Sequence, residues 1–347
     1  MSVSTPSPVI SHLVTTIIPV YNRPDMLRTA VESVISQTYR PIEVIIADDG
    51  STDETGHVGQ SLADCDPLNI KYVRIENQGP GPAREAGRLL ARGEFLQYLD
   101  SDDRLLPNKF ADQVDALHQH PECDIAYGLT RLVDANGSIL AEPFKWTDRQ
   151  ISELFPGLLV DRWWCTHTPL YRRSVADKVG AWTDMRWSQD WEYDARFGAR
   201  NCQLINCGSY VSEHVQHSGV RQTSEAKWSE DPERLRNRVD LLTALLRNAR
   251  STNVPRDAAE YQHFARWCFT IARQCSTQGM RSESEQCTRM ARDAAQDGKA
   301  AGGIRLFQAL TKVFGHRMSG RLIAYFTARR RATGDYTMDQ SFARADS

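Results

Sequence analysis

The stretch "TTIIPVYNRPDMLRTAVESVISQTYRPIEVIIADDGSTDE", residues 15–54, decides the fold. Near its ends lie two apolar runs of strand length rich in β-branched residues, "VTTIIPV" (14–20) and "PIEVIIA" (41–47). Between them Leu27, Ala30, Val31, Val34 and Ile35 recur at helical spacing and predict an amphipathic helix within 23–37. The alternation continues outward. "STDETGHVGQSLA" (51–63) opens with Ser51 and Glu54 at the spacing of a capping box. "IKYVRI" (70–75) is a third strand, "GPAREAGRLLAR" (81–92) a helix closed by Gly93, and "EFLQYL" (94–99) a fourth strand. Strands alternating with helices predict right-handed crossovers, an α/β class and a mostly parallel sheet.

In such sheets ligands bind outside the carboxyl ends of the strands. Each of the four strands is followed there by a polar or glycine-rich loop: "YNRPD", "DDGSTD", "ENQGPGPAR" and "DSDD". The last packs Asp100, Asp102 and Asp103 into four positions behind an apolar run. Unpaired carboxylates are costly to bury and like charges repel. A hard cation such as Mg²⁺ or Mn²⁺ resolves both problems, and so does a solvated turn that caps the next helix. Four polar loops on one edge favour a site.

Length and composition set outer bounds. The 347 residues, 41% hydrophobic and 25% charged, describe an ordinary globular protein of one or two domains. A net charge of -2 gives no global field that would recruit nucleic acid. Eight scattered cysteines form no CxxC pair and read as reduced thiols. No apolar run approaches the roughly 20 residues of a membrane span, and "MSVSTPSPVISH" lacks the pattern of a secretory signal. A cytoplasmic protein is expected.

Further along, "DIAYGLTRLVDANGSIL" predicts two strands around the Asn136-Gly137 turn, "WSQDWEYDARFGAR" a helix and "CQLINCGSYVSEHV" a strand. After about residue 225 the pattern is wholly helical, with amphipathic stretches near 233–249, 257–278, 281–296 and 303–331. Residues 1–12 therefore read as a flexible start, 13–225 as the sheet domain and 226–347 as a helical region. Residues 304–331 combine large apolar residues with many Lys and Arg and no acid, interrupted at Gly315. That is the pattern of interfacial amphipathic helices, giving a peripheral membrane contact. The same apolar residues serve equally to pack on the sheet domain or to form a homo-oligomer.

The loops in this order, with "GPGPAREAG", "GEFLQYLDSDDRLLPNK" and, more loosely, "GAWTDMRWSQDWEY", resemble the inverting family 2 glycosyltransferases of the GT-A fold over about residues 12–220. The resemblance implies a nucleotide-diphosphate-sugar donor, an acceptor hydroxyl on a glycan or glycolipid, a divalent metal, and a place in polysaccharide or glycoconjugate biosynthesis. It implies Asp102 as the main metal ligand and Asp100 as a metal or ribose contact, with His217 completing the metal shell. Pro19, Val20 and Tyr21 would lie along the nucleotide and Asp49 would read the base. Gly79, Gly81 and Arg84 would border the donor, and Arg221 would close over the diphosphate. Asp190 of "SQDWEY" aligns with the catalytic base, with Glu192 and Asp194 as runners-up. Trp163, Trp164 and His167 of "DRWWCTH" fall on the acceptor side, where aromatic faces suit sugar rings and suit a core equally well. The chain departs from the family pattern at Pro82, Glu85 and Gln189, where a small residue, Asn and Glu are usual. Two rivals stand: a nucleotidyltransferase, which lacks a basic glycine-rich loop after strand one, and a non-catalytic sugar-nucleotide-binding scaffold.

Overall fold

The computed structural model describes residues 8–217, 231–296 and 300–322. The chain divides into two compact units, residues 1–154 with 163–219 and residues 155–162 with 220–347. The sequence suggests a single division point. The structure instead gives the short excursion 155–162 to the helical unit.

The first unit is built on β1 (Ile10–Val20), α1 (Pro24–Ile35), β2 (Ile42–Asp48), α2 (Thr55–Cys65), β3 (Ile70–Arg74), α3 (Pro80–Leu90) and β4 (Gly93–Tyr98). β1 is buried from Leu13 to Val20 and β2 along its whole length, as expected where helices cover both faces of a parallel sheet. Pro24 and Pro80 start α1 and α3, where a missing N–H costs no hydrogen bond. α1 buries Leu27, Ala30, Val31 and Val34 against the sheet, the face read from their spacing. The capping box does not form: α2 starts at Thr55 after an uncapped Glu54. Ser51 and Thr55 accept instead from the backbone N–H of Asn22 and Arg23, at 3.0 and 2.8 Å, knitting the loops after β1 and β2 together. Gly93 opens β4 rather than closing α3.

The rest of the unit comprises β5 (Arg104–Leu105), α4 (Lys109–Gln119), β6 (Ile125–Asp134), β7 (Ile139–Ala141), β8 (Leu170–Arg172), α5 (Arg173–Val179), α6 (Gln189–Gly198) and β9 (Leu204–Gln216). The strands form one sheet in the order β3-β2-β1-β4-β8-β6-β9-β5, with β7 on β6. β1 to β4 are mutually parallel, and β8 enters antiparallel beside β4. β1 thus lies between β2, reached through α1, and β4, reached later. This is a topological switch point, and its crevice lies outside the carboxyl ends of β1 and β4.

The second unit holds α7 (Pro232–Arg250), α8 (Ala259–Thr277), α9 (Arg281–Ala295), α10 (Ala300–Phe314) and helical residues 316–322. Asp231 caps α7, accepting from the N–H groups of Glu233 and Arg234. Gly315, at φ +74°, separates α10 from the next helical turn, the break that the sequence suggests. All eight cysteines are free thiols. No helix among the described residues is long and apolar enough to cross a membrane.

Candidate active site

The switch-point crevice gathers the polar loops. Asp48 ends β2 fully buried, where Ser51 N–H (2.8 Å) and the Tyr72 hydroxyl (2.6 Å) donate to it. Burial and this carboxylate push the Tyr72 hydroxyl up to about 12. Asp49 accepts from the backbone N–H of Gln78 (2.8 Å) and of Gly79 (2.9 Å), one on each oxygen. Burial raises its pKa, against the lowering by these two bonds. Each oxygen has a second lone pair, so a base or ribose donor can still be accepted. Gly79 sits at φ +97°, a conformation that suits glycine. At Gly81 a Cβ would lie 2.0 Å from the carbonyl oxygen of Thr183, so only glycine lets α3 approach the chain leading into α6. Pro19 and Val20 are buried at the end of β1, and Tyr21 is exposed.

The acidic turn after β4 splits into three roles. Asp100 pairs with Arg84 through Nη2. That guanidinium is buried over the Trp182 ring at 4.8 Å, and its Nε and Nη1 have no hydrogen-bond partner among the described residues. Buried donors left unpaired are costly, so this guanidinium has capacity for a further acceptor. Asp102 meets Arg23 Nη1 at 2.7 Å and His217 Nε2 at 3.1 Å, both on Oδ2. Asp103 is buried beneath them. His167 Nδ1 lies 2.8 Å from it and His214 Nδ1 3.0 Å, and the Val215 N–H donates at 2.9 Å. Burial pushes this carboxyl up, but the two imidazoles more than offset that and hold it well below the ordinary range.

Whether these residues fit a divalent cation turns on the pair Asp102 and His217. Their 3.1 Å separation is close to the roughly 3 Å between adjacent ligands of an octahedral ion with bonds of about 2.1 Å. As the structure stands the two share a hydrogen bond; the carboxylate suits Mg²⁺ or Mn²⁺ and the imidazole a transition ion, so the pair would fit Mn²⁺. Asp100 is tied to Arg84. A separate trio, Cys165, His167 and His214, offers ligand atoms within 4.8 Å of one another, with Asp103 against both imidazoles.

Asp190 lies in the first turn of α6, where the helix dipole favours an anion. Its Oδ2 accepts from Thr166 Oγ1 at 3.2 Å and its Oδ1 from Trp191 N–H at 2.9 Å. The two alternative acids are engaged elsewhere. Glu192 is buried against Arg196 at 3.0 Å. Asp194 is fully buried and accepts from Trp164 Nε1 (2.7 Å) and the Tyr171 hydroxyl (2.8 Å).

Three expected acceptor-side residues are corrected. Trp163 and Trp164 are core residues, packed on each other at 4.3 Å and on Tyr127, and present no open ring face to a sugar. His167 is fully buried against Asp103. The same turn touches both candidate elements: Thr166 reaches Asp190, and its neighbour His167 reaches the acidic loop. Arg221 falls outside the described residues.

The 165–168 turn is held from below by Lys109. This fully buried lysine donates to Thr168 O (2.8 Å) and Gln113 Oε1 (2.7 Å), and burial lowers its pKa to about 7. The unfolded value is about 10.4, so between these limits the unfolded chain binds a proton that the folded chain does not. Stability from this group is complete above the unfolded value and is lost as pH falls toward 7. Its slope is at most about 1.4 kcal/mol per pH unit. In urea unfolding, the difference in stability between wild type and Lys109→Met should therefore shift toward wild type from pH 7 to pH 9. A constant difference would mean that Lys109 is buried as the charged form.

Comparison with known proteins agrees with this architecture. Several solved glycosyltransferases share it. S. aureus TarS 1–349 in complex with UDP-GlcNAc is 18% identical, covers 90% of this chain and 91% of its own, and superposes with a TM-score of 0.61. The mannosyltransferase PcManGT of Pyrobaculum calidifontis, in complex with GDP-Man and Mn²⁺, is 16% identical over 93% and 87% of the two chains, with a TM-score of 0.53. These likenesses define a GT-A type fold. Residues 15–180, just under half of the chain, match the model of Glycosyl transferase family 2. An uncharacterized glycosyltransferase of Rickettsia felis is 40% identical over 131 residues, which are 37% of this chain and 21% of that protein. The chain thus spans only about a fifth of the length of that relative.

Proposed function

We propose that the chain transfers a sugar, with inversion, from a nucleoside diphosphate sugar to a hydroxyl of a glycan or glycolipid. The observation that carries this reading is the meeting of Asp100, Asp102, Arg23, Arg84 and His217 at the carboxyl edge of β4. It supplies carboxylate and imidazole for a cation beside guanidinium donors for phosphate. The TarS and PcManGT complexes with sugar nucleotides support the donor class, and the Mn²⁺ of PcManGT supports a metal. A divalent cation bound by Asp102 and His217 would offset the charge developing on the departing diphosphate. Arg84, paired with Asp100, would add positive charge beside the same anion. Asp49 and Tyr21 take the nucleoside. Asp190, oriented by Thr166, removes the acceptor proton as that oxygen attacks from the face opposite the diphosphate. One base suffices, because inversion needs no covalent intermediate. Free thiols throughout suit a reducing, cytoplasmic setting.

The test follows donor turnover by proton NMR, with water in place of an unidentified acceptor. A panel of α-linked nucleotide sugars is incubated with the full chain and Mg²⁺. The β-anomer should appear first. Early α-anomer would refute inversion, and no turnover of any donor would favour the non-catalytic scaffold.

A further inference from the structure

α10 has two apolar faces, and only one is packed. Ile304 and Phe307 are buried, Phe307 with its ring 5.6 Å from that of Phe269 on α8. Leu306, Leu310 and Val313, spaced four and three residues apart, share a different face. On it Leu306 is 61% and Val313 73% exposed. Phe314, Met318 and Leu322 extend this exposure into the next helical turn. Single exposed apolar residues are ordinary, but five large ones within 306–322 make a patch that calls for a partner.

The charges beside the patch identify the kind of partner. Arg305, Lys312, Arg317 and Arg321 are all exposed. From residue 298 to residue 334 the sequence has eight Lys and Arg and no Asp or Glu. Among the described residues one acid reaches this stretch, Glu285, 3.3 Å from His316. A second copy of the chain fits poorly: in a twofold contact the face meets itself, bringing Arg305 and Lys312 together without acids to pair them. A surface that is both apolar and anionic satisfies both features. We propose that this face of α10 and the following turn rests on an anionic lipid surface, with Leu306, Val313 and Phe314 entering the acyl boundary and the basic residues meeting headgroups.

The experiment is co-sedimentation of the full chain with vesicles of phosphatidylcholine alone or mixed with phosphatidylglycerol, at low and high salt. Binding should require the anionic lipid and weaken with salt, since headgroup attraction is screened within a Debye length. Arg305→Gln with Lys312→Gln, and separately Leu306→Ser with Val313→Ser, should each lower the partition coefficient roughly tenfold or more. These side chains are exposed, and far-ultraviolet circular dichroism of each variant checks the fold. Negligible binding to both vesicles at low salt overturns the proposal. So does binding that ignores lipid charge. Light scattering adds a third route: a wild-type dimer that Leu306→Ser with Val313→Ser turns into a monomer would assign the face to a second copy.

Discussion

Asp190→Asn should lower donor hydrolysis by about 10²-fold or more while leaving affinity for the nucleoside diphosphate near that of wild type. The side chain keeps its shape: its amide oxygen can still accept from the Trp191 N–H while its amide nitrogen donates to the Thr166 hydroxyl, which lies 3.2 Å from the carboxylate. The negative charge and the capacity to take a proton are lost. A hundredfold fall corresponds to about 2.7 kcal/mol of transition-state stabilisation. The effect should fall on kcat, because the base acts as the new bond forms. Parallel measurements of kcat and of diphosphate affinity by calorimetry separate the two. An unchanged kcat would reduce Asp190 to a helix-terminal acid. Glu192 and Asp194 offer no ready substitute, since one is ion-paired with Arg196 and the other is fully hydrogen-bonded in the core.

The parallel half of the sheet is legible in the sequence because its signals are local. Runs such as 14–20 and 41–47 are dominated by β-branched and other apolar residues, and the helix between them shows its buried face in the spacing of Leu27, Ala30, Val31 and Val34. The polar loops announce the carboxyl edge for the same reason. Long-range pairing is not legible. Asp103 meets His214 across 111 residues of sequence, and no local pattern marks that partnership. Arg23 escapes notice as a partner of Asp102, although a cation in the loop after β1 facing an acidic loop after β4 is a signal the topology could supply. Trp163 and Trp164 mislead because paired aromatics suit a sugar platform and a core equally. Their burial depends on Tyr127 and Asp194, which the sequence does not place beside them. The capping box fails for a related reason. Ser51 and Thr55 bond the loop after β1, and that tertiary tie displaces the local motif.

Asp102→Ala should abolish the metal-dependent part of nucleotide binding without unfolding the chain. Asp102 lies in the turn after β4 and is no part of the buried hydrophobic cluster, so its loss takes nothing from that core. What disappears is the carboxylate that Arg23 and His217 share. Without it a divalent ion would keep only the imidazole, and affinity should fall well beyond the effect of losing one surface charge. The buried Asp103 should remain in place, held by His167, His214 and the Val215 N–H. The most direct measurement is the melting temperature of wild type and Asp102→Ala with uridine and guanosine diphosphates, each with and without Mn²⁺, since a ligand that binds only the folded state raises it. The account predicts that one diphosphate raises the wild-type melting point only when Mn²⁺ is present and leaves that of Asp102→Ala unchanged. A wild type indifferent to both diphosphates, or a variant that responds as fully as wild type, would contradict it.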